Sequence, residues 1–276
     1  MTETRNPDDV TPTDDTTPTD DTTPTDDTTP TDDATPTDDA TPPKKAPPPP
    51  ERFRYRVGFR KEGALRWVGH LDLQTTFDRT LRRAKMPLWF SKGFHPRPKL
   101  VFASALPLGC SSEAEFVDLW LRKPLLPETL LERLRASAPP GMTFTTADTI
   151  PLRAPAVTTR VVSTRYDITL PANLDTQALD DLRQRIDALL AQDTLPRRRR
   201  NKNYDLRPLI VSTALREAAE DRAILVAELV AQEGATGRPE ELLDALGLDA
   251  TTCRTHRIAL ILKEDFPPPP APEPAP

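Results

Sequence analysis

Cysteine is scarce in this chain, and its scarcity excludes two classes of protein. Two of the 276 residues are cysteines, Cys110 and Cys253. Two thiols cannot form the framework of several disulfide bonds that stabilises small secreted domains. They also cannot supply the roughly four ligands, usually thiolates, that hold an iron–sulfur cluster. We therefore expect a reduced, cytoplasmic setting and no cofactor.

Glycine and long apolar segments are also rare. The nine glycines form neither a phosphate-cradling glycine-rich motif nor the nucleophile elbow of a hydrolase. No apolar run approaches the roughly 18 residues of a membrane span, and no basic region followed by an apolar stretch opens the chain. We therefore expect neither a signal peptide nor a membrane contact.

Charge and proline are present in quantity but are unevenly distributed. Residues 1–43 contain thirteen acidic residues and one basic residue, a net charge of −12. Residues 51–266 contain 34 basic and 28 acidic residues, a net charge of +6. The whole-chain charge of −5 therefore hides an acidic tail joined to a basic body, and binding partners have to be considered for each segment separately.

The two ends of the chain have the composition of disordered segments. Residues 11–40 are five copies of the hexapeptide Thr-Pro-Thr-Asp-Asp-Thr/Ala, and none carries a side chain large enough to build a core. Proline-rich stretches follow at 42–50 and at 267–276, so we predict disorder over 1–50 and 267–276. The tails either provide solubility and spacing, or the acidic repeat competes with nucleic acid for the body or is modified at Thr-Pro sites.

The body reads as a β-α-β-β-α-β order of elements that occurs twice. Apolar periodicity and proline or glycine boundaries predict these elements: strand 53–60, a possible short strand 64–68, helix 71–85, strands 99–105 and 114–121, helix 128–137, strands 142–149 and 160–170, helix 176–191, an extended region 195–215, strand 222–230, helix 239–246 and strand 255–262. This order predicts an α+β protein with two tandem ferredoxin-like domains, 51–155 and 156–266, joined near 151–157.

The first strand places arginines and aromatic residues on opposite faces. Phe53, Tyr55, Val57 and Phe59 alternate with arginines, so Arg54 and Arg56 should lie on the sheet face away from the helices. Phe116, Asp118 and Trp120 of the third strand should share that face. Arginines beside aromatic side chains can bind phosphates and stack bases; alternatively, the face docks on the second domain and Phe116 and Trp120 are core residues.

A second basic feature lies in the extended region of the second half. Five of six consecutive residues are cationic: Arg197, Arg198, Arg199, Arg200 and Lys202. Such a run is attracted to phosphate backbones regardless of sequence. An acidic protein partner, or the chain's own acidic tail, would be attracted to the same basic run.

The densest polar cluster spans residues 66–99. Its candidate anion-binding residues are Arg66, Arg79, Arg83, His95 and Lys99. His70 and Asp72 lie near the predicted start of a helix, where they could act as an acid/base pair or cap the helix and fix the loop that follows. Two histidines and one aspartate are a weak metal signal, so we predict no metal site.

Three stretches in and around this cluster resemble a known family. They are Gly63-Ala-Leu-Arg-Trp-Val-Gly-His-Leu-Asp-Leu, Phe77-Asp-Arg-Thr-Leu-Arg-Arg-Ala and Ser91-Lys-Gly-Phe-His-Pro-Arg-Pro-Lys. They resemble the radical-SAM-linked proteins, a bacterial family of unknown function encoded beside a radical SAM protein or fused to it. Asp205-Leu-Arg-Pro-Leu is similar to a later element of that family. The resemblance covers the body and does not include the acidic repeat.

The resemblance implies a radical SAM protein as partner, with any radical step on that partner. It singles out Arg66, His70, Asp72, Arg79, Arg83, Gly93, His95, Pro96 and Lys99 for testing. Our leading hypothesis is a non-catalytic module that presents RNA, or an RNA-bound target, to the partner.

Two alternatives remain open. One is an enzyme that cleaves RNA or another phosphate ester with His70 and Asp72; it rests on similarity of fold to the repeat-associated mystery protein endonucleases, whose C-terminal glycine-rich loop is absent from this sequence. The other is a pure protein scaffold that docks on the radical SAM chain.

Overall fold

A computed structural model describes residues 51–172, 174–218 and 222–263. All of these residues belong to one compact unit, Pro48–Pro276. The disorder predicted for 1–50 and 267–276 lies outside the described residues.

The first half of the body follows the predicted order of elements closely. Its elements are β1 (Phe53–Lys61), α1 (His70–Arg83), β2 (Leu100–Phe102), β3 (Ser111–Leu121), α2 (Pro127–Ser137) and β4 (Met142–Ile150). The prediction of a short strand at 64–68 is wrong, because Gly63–Trp67 forms a 3-10 helix. Gly63 takes φ +56°, so the chain turns out of an extended path there and buries Leu65.

The second half begins with α3 (Val157–Arg160), a helical turn that sequence patterning did not indicate. Its remaining elements are β5 (Val161–Thr169), α4 (Thr176–Leu190), β6 (Pro196–Arg199), β7 (Lys202–Asp205), β8 (Ile210–Ala218), β9 (Arg222–Gln232), β10 (Ala235–Thr236), α5 (Pro239–Ala245) and β11 (Arg254–Leu262). The predicted extended region therefore contains a hairpin, β6–β7, and a separate strand, β8.

Strand pairing joins the two halves in one large mixed sheet. In the first half the order is β4-β1-β3-β2, and in the second it is β11-β5-β9-β8, with antiparallel neighbours throughout. The start of β11 runs parallel to the start of β3, with His256 opposite Ser111. This contact makes nine strands of the described residues continuous, while β6 and β7 form a sheet of their own.

Helices cover one face of each half and set the two main cores. Phe77 and Leu81 of α1 and Leu130 of α2 pack on Tyr55 and Val57 of β1. In the second half, helices α4 and α5 pack on β5 and β9 in the same way. None of the helices within the described part of the chain is long and apolar enough to span a membrane.

Candidate nucleic-acid interface

The basic run forms a tight hairpin. Arg199 of β6 pairs with Lys202 of β7, so Arg200 and Asn201 are the two residues of the turn. Both have left-handed backbones, with φ +44° and +64°, as two-residue hairpin turns of this hand require. Asparagine tolerates this region well, whereas arginine is strained in it. The strained residue therefore places a cation at the hairpin tip.

The Asp205-Leu-Arg-Pro-Leu element anchors the base of this hairpin. Asp205 Oδ1 accepts from the backbone nitrogens of Leu195 (2.7 Å) and Arg207 (3.0 Å). The Arg207 guanidinium donates to the carbonyl oxygens of Leu190 and Gln192 at the C-terminal end of helix α4. The Asp205 carboxylate is thus engaged in holding the hairpin base.

Alternate arginines of β6 are neutralised by the helix beside them. Arg197 Nη1 lies 3.0 Å from Asp244 Oδ2, and Arg199 Nε lies 3.6 Å from Glu241 Oε1. Arg198, Arg200 and Lys202 are exposed, and Arg198 Nη2 lies 3.4 Å from the Asn201 side-chain oxygen. Within the described residues, these three cations have no carboxylate partner.

A pocket of about 590 Å³ opens beside the hairpin. Its lining residues are Arg199, Arg200, Lys202, Tyr204, Asp205, Leu209, Gly234, Ala235, Thr236 and Arg238. Burial raises the pKa of Tyr204 to about 12, and Glu241 adds to the rise, so its phenol is neutral at physiological pH. The pocket combines four cations with an uncharged aromatic ring, a set of groups that suits a phosphate backbone and an unpaired base. Arg238 is a contribution that sequence analysis missed, because a lone arginine carries no pattern.

The arginine-bearing face of β1 has the predicted neighbours but is buried, whereas we expected it to be open to solvent. Arg54 pairs with Trp120 and Arg56 with Asp118 in register, so the predicted sharing of one face is confirmed. The face is closed, however: Arg54 and Arg56 are 3% and 8% exposed. Both guanidiniums donate to Asp118, Arg54 Nη2 at 2.6 Å and Arg56 Nε at 2.8 Å.

The connection between the halves closes this face. Arg54 also donates to the carbonyl oxygens of Ala154 and Pro155, so its guanidinium is hydrogen-bonded to acceptors inside the protein. Arg54 and Arg56 are therefore unavailable to a polyanion in this structure, and the expectation of an open arginine face is corrected.

Trp120 is buried and Phe116 is partly buried, and both pack within the protein. Phe116 packs against a small core that includes Val157, Val161 and Leu260 of the second half, as the alternative reading of this face predicts. Trp120 is 7% exposed, with Arg54 and Lys99 over its ring at 5.1 and 4.5 Å. Burial lowers the pKa of Lys99, as do the nearby cations Arg52 and Arg54.

The polar cluster at 66–99 is divided among several local contacts. His70 Nε2 lies 3.0 Å from the Gln74 amide nitrogen, and its ring meets Phe102 edge-on. The Asp72 side chain is exposed at the start of α1. His70 thus contacts Gln74 and Phe102, an arrangement that positions the ring without making an acid/base pair.

The other members of this cluster also have separate surroundings. Arg66 stacks on the exposed Trp67 ring at 4.8 Å, and Arg83 Nη2 donates to the Ser137 carbonyl at the end of α2 (3.0 Å). Arg79 and His95 are exposed. Trp67, Leu71 and Phe94 are exposed by 60%, 74% and 102%, so the family-like stretches carry three exposed apolar side chains that sequence analysis did not single out.

A family profile matches residues 54–239. The family is described as "Uncharacterized protein conserved in bacteria (DUF2344)". The chain belongs to this family. The DUF2344 match covers the first half from Arg54 onward and the basic hairpin, and it ends at Pro239, the first residue of α5. No curated protein matches the chain.

Similarity to solved structures is distant. A chain in "Crystal Structure of a Cbf5-Nop10-Gar1 Complex" is 9% identical with a TM-score of 0.42, covering 74% of this chain and 47% of that one. A chain in "Crystal structure of the archaeal box H/ACA sRNP Nop10-Cbf5 complex" is 10% identical with a TM-score of 0.38, covering 76% and 49%. The chain in "Crystal structure of Putative Chlorite dismutase TA0507" is 11% identical with a TM-score of 0.25, covering 72% of this chain and 87% of that one. The chain spans about half the length of the first two.

Proposed function

We propose that this DUF2344 protein is a non-catalytic module that binds RNA, or another polyanion, through the basic hairpin and its pocket. The observation that carries the proposal is the set of three exposed cations, Arg198, Arg200 and Lys202, which have no carboxylate partner within the described residues. Arg200 and Lys202 also line the pocket beside Tyr204. A strained backbone at Arg200 adds support, since strain is retained where the surrounding structure or function requires it.

The chemistry of the pocket favours a flexible, single-stranded ligand. Cations that follow a backbone, together with an aromatic ring, bind single strands with little dependence on sequence. Binding of this kind releases counterions, so its affinity falls steeply with salt. Arg54, Arg56, Phe116 and Trp120 have no part in this proposal, because the first two and Trp120 are buried and Phe116 packs against the second half.

Fluorescence anisotropy with a labelled single-stranded RNA tests the proposal. The triple variant Arg198→Ala/Arg200→Ala/Lys202→Ala removes the three exposed cations of the hairpin. A control triple, Lys123→Ala/Arg133→Ala/Arg153→Ala, removes the same charge from exposed residues outside the pocket. We expect the hairpin triple to weaken binding by at least tenfold and the control to change it less than threefold. Equal losses in the two triples would mean that net charge, rather than the hairpin, governs binding.

A radical SAM protein is the partner that we propose, on the basis of the resemblance at residues 63–99. We propose that the exposed side chains of Trp67, Leu71 and Phe94, which lie in these stretches, form the docking patch, since contiguous exposed apolar patches mark protein-docking surfaces. Copurification of the two proteins after nuclease treatment tests this. Loss of the complex on nuclease treatment would indicate an RNA bridge, and retention together with loss in Trp67→Ser/Leu71→Ser would indicate direct docking.

We also propose that the two halves are ferredoxin-like units fused edge to edge. The support is the strand order, which places the fourth strand of each half beside the first and the first beside the third. In the sheet that results, the parallel contact of β11 with β3 is the seam. Catalysis by His70 and Asp72 receives less support, since the His70 ring contacts Gln74 and Phe102.

A further inference from the structure

A second, smaller cavity lies at the seam between the two halves. Its volume is about 180 Å³, and residues from both halves line it, including Ser104, Thr164, Tyr166 and Arg257. Its lining shares Thr236 and Arg238 with the pocket beside the basic hairpin. The two cavities are therefore neighbours that meet at these two residues.

The buried charges around Arg257, one of the residues that line this cavity, do not balance. Arg257 and Lys61 are each 1% exposed, and Glu115 is 3% exposed. Arg257 Nη1 donates to both Glu115 oxygens, at 2.9 and 3.2 Å, while Lys61 Nζ donates to the Val68 carbonyl at 2.8 Å. Glu115 therefore pairs with Arg257, and Lys61 has no carboxylate partner within the described residues, although buried charges are normally paired.

Arg257 also retains an unused donor. Its Nη2 donates to the Ala105 carbonyl (3.0 Å) and to the Tyr166 hydroxyl (3.1 Å). Its Nε is buried and has no hydrogen-bond partner among the described residues. An unsatisfied buried N–H on a cation costs free energy, and the described part of the protein does not use all the donors of this guanidinium.

We propose that this seam cavity binds one phosphate group, with Arg257 at its wall and Arg238 where it meets the hairpin pocket. Its volume lies below the roughly 300–1,000 Å³ of sites that hold whole small molecules, so it suits a single anionic group. Hydroxyls of Ser104, Thr164 and Tyr166 supply neutral hydrogen-bonding groups around it. Arginine suits the planar, two-point recognition of phosphate oxygens.

The phosphate group could arrive in two ways that share this chemistry. It could be free, as inorganic phosphate or a mononucleotide, or it could be the 5′-terminal phosphate of a strand that lies along the hairpin pocket. The second source rests on the proposed function, and the first does not. The two sources are separated by the probes used below.

Isothermal titration calorimetry on the full chain tests the site with inorganic phosphate and with adenosine monophosphate as probes. Ser104→Leu fills the cavity without touching the Arg257–Glu115 pair, and Ser104→Ala is its matched control. We expect Ser104→Leu and Arg238→Gln to weaken phosphate binding by at least tenfold. We expect Ser104→Ala and the hairpin triple variant to retain binding within threefold. Both Ser104 variants must show wild-type circular dichroism and unfolding midpoints.

A second arm compares RNA of one sequence with and without a 5′-phosphate. Tighter binding of the phosphorylated strand, lost in Ser104→Leu, would identify the strand end as the source. Phosphate binding with equal RNA affinities would identify a free phosphate as the source. Absence of any phosphate effect with either probe, or phosphate binding abolished by the hairpin triple and retained in Ser104→Leu, would overturn the seam site. Phosphate binding without RNA binding would overturn the proposed function and leave the seam site standing.

Discussion

Arg257 and Glu115 form a buried ion pair that joins strand β11 to strand β3. The Nη1–Oε1 and Nη1–Oε2 distances are 2.9 and 3.2 Å. Glu115 and Tyr166 together raise the pKa of Arg257 in spite of the opposing effect of burial, so the guanidinium remains charged. The pair lies beside the contact of β11 with β3, and it therefore couples the two halves electrostatically as well as through the sheet.

Breaking this pair should destabilise the protein strongly. Glu115→Ala leaves the buried Arg257 guanidinium without a carboxylate partner, and we expect a loss of about 3–5 kcal/mol in the free energy of unfolding. The double variant Glu115→Leu/Arg257→Met removes both charges and should cost clearly less than the two single changes together. Urea unfolding at pH 7 measures these values. Additive costs would contradict the coupling.

Asp118 should be as sensitive, because it is the carboxylate that Arg54 and Arg56 share. Asp118→Asn leaves both buried guanidiniums short of an anion, and we expect a loss of about 3–5 kcal/mol. Asp148→Asn is the matched control, since Asp148 lies opposite Arg56 on the neighbouring strand but is exposed. That change should stay within about 0.5 kcal/mol. A mild effect at Asp118 would mean that the arginine face is more solvated than the structure indicates.

Arg200 should lower the stability of the folded protein and raise its affinity for RNA. Arg200→Gly relieves the left-handed backbone at φ +44°, and we expect the protein to gain about 1 kcal/mol. The same change should weaken RNA binding, because it removes the cation at the hairpin tip. Asn201→Gly is the control: its gain should be smaller, since asparagine tolerates this conformation, and RNA affinity should not change. A loss of stability in Arg200→Gly would contradict the strain.

Glu228 should contribute stability that depends on pH. The hydrogen bond from Ser163 to Glu228 (2.6 Å) and that from Arg165 (2.7 Å) lower the pKa of this carboxyl. A lowered carboxyl pKa stabilises the folded state above the ordinary value near 4.5, and the contribution disappears as pH falls through the folded-state pKa. Ser163→Ala should therefore destabilise the protein more at pH 7 than at pH 3, as measured by urea unfolding. A difference that is the same at both pH values would exclude this linkage.

Local patterns predicted the elements of this fold well. The alternation in β1 indicated which side chains share a face, and the spacing of Leu73, Phe77 and Leu81 indicated helix α1, because both periods follow from backbone geometry. The closure of the arginine face had no such signal. It depends on the path of residues 151–157 and on β11 joining β3, which are long-range contacts.

The candidate sites show the same contrast between features with a local sequence pattern and features that depend on long-range contacts. A run of charge is visible in the sequence, so the hairpin cations were found, but the turn at Arg200-Asn201 lacks the asparagine–glycine signature of such hairpins. Arg238 and Arg257 are isolated in the sequence and belong to different elements. Only the fold brings them to neighbouring cavities.

The salt dependence of RNA binding tests the central claim most directly. Each cation that contacts a phosphate of a single strand contributes about 0.7 to the slope of log affinity against log salt concentration. Removal of Arg198, Arg200 and Lys202 should therefore lower the magnitude of the slope by about 2, while the Lys123/Arg133/Arg153 control triple should leave it unchanged. A wild-type slope in the hairpin triple variant would contradict the account.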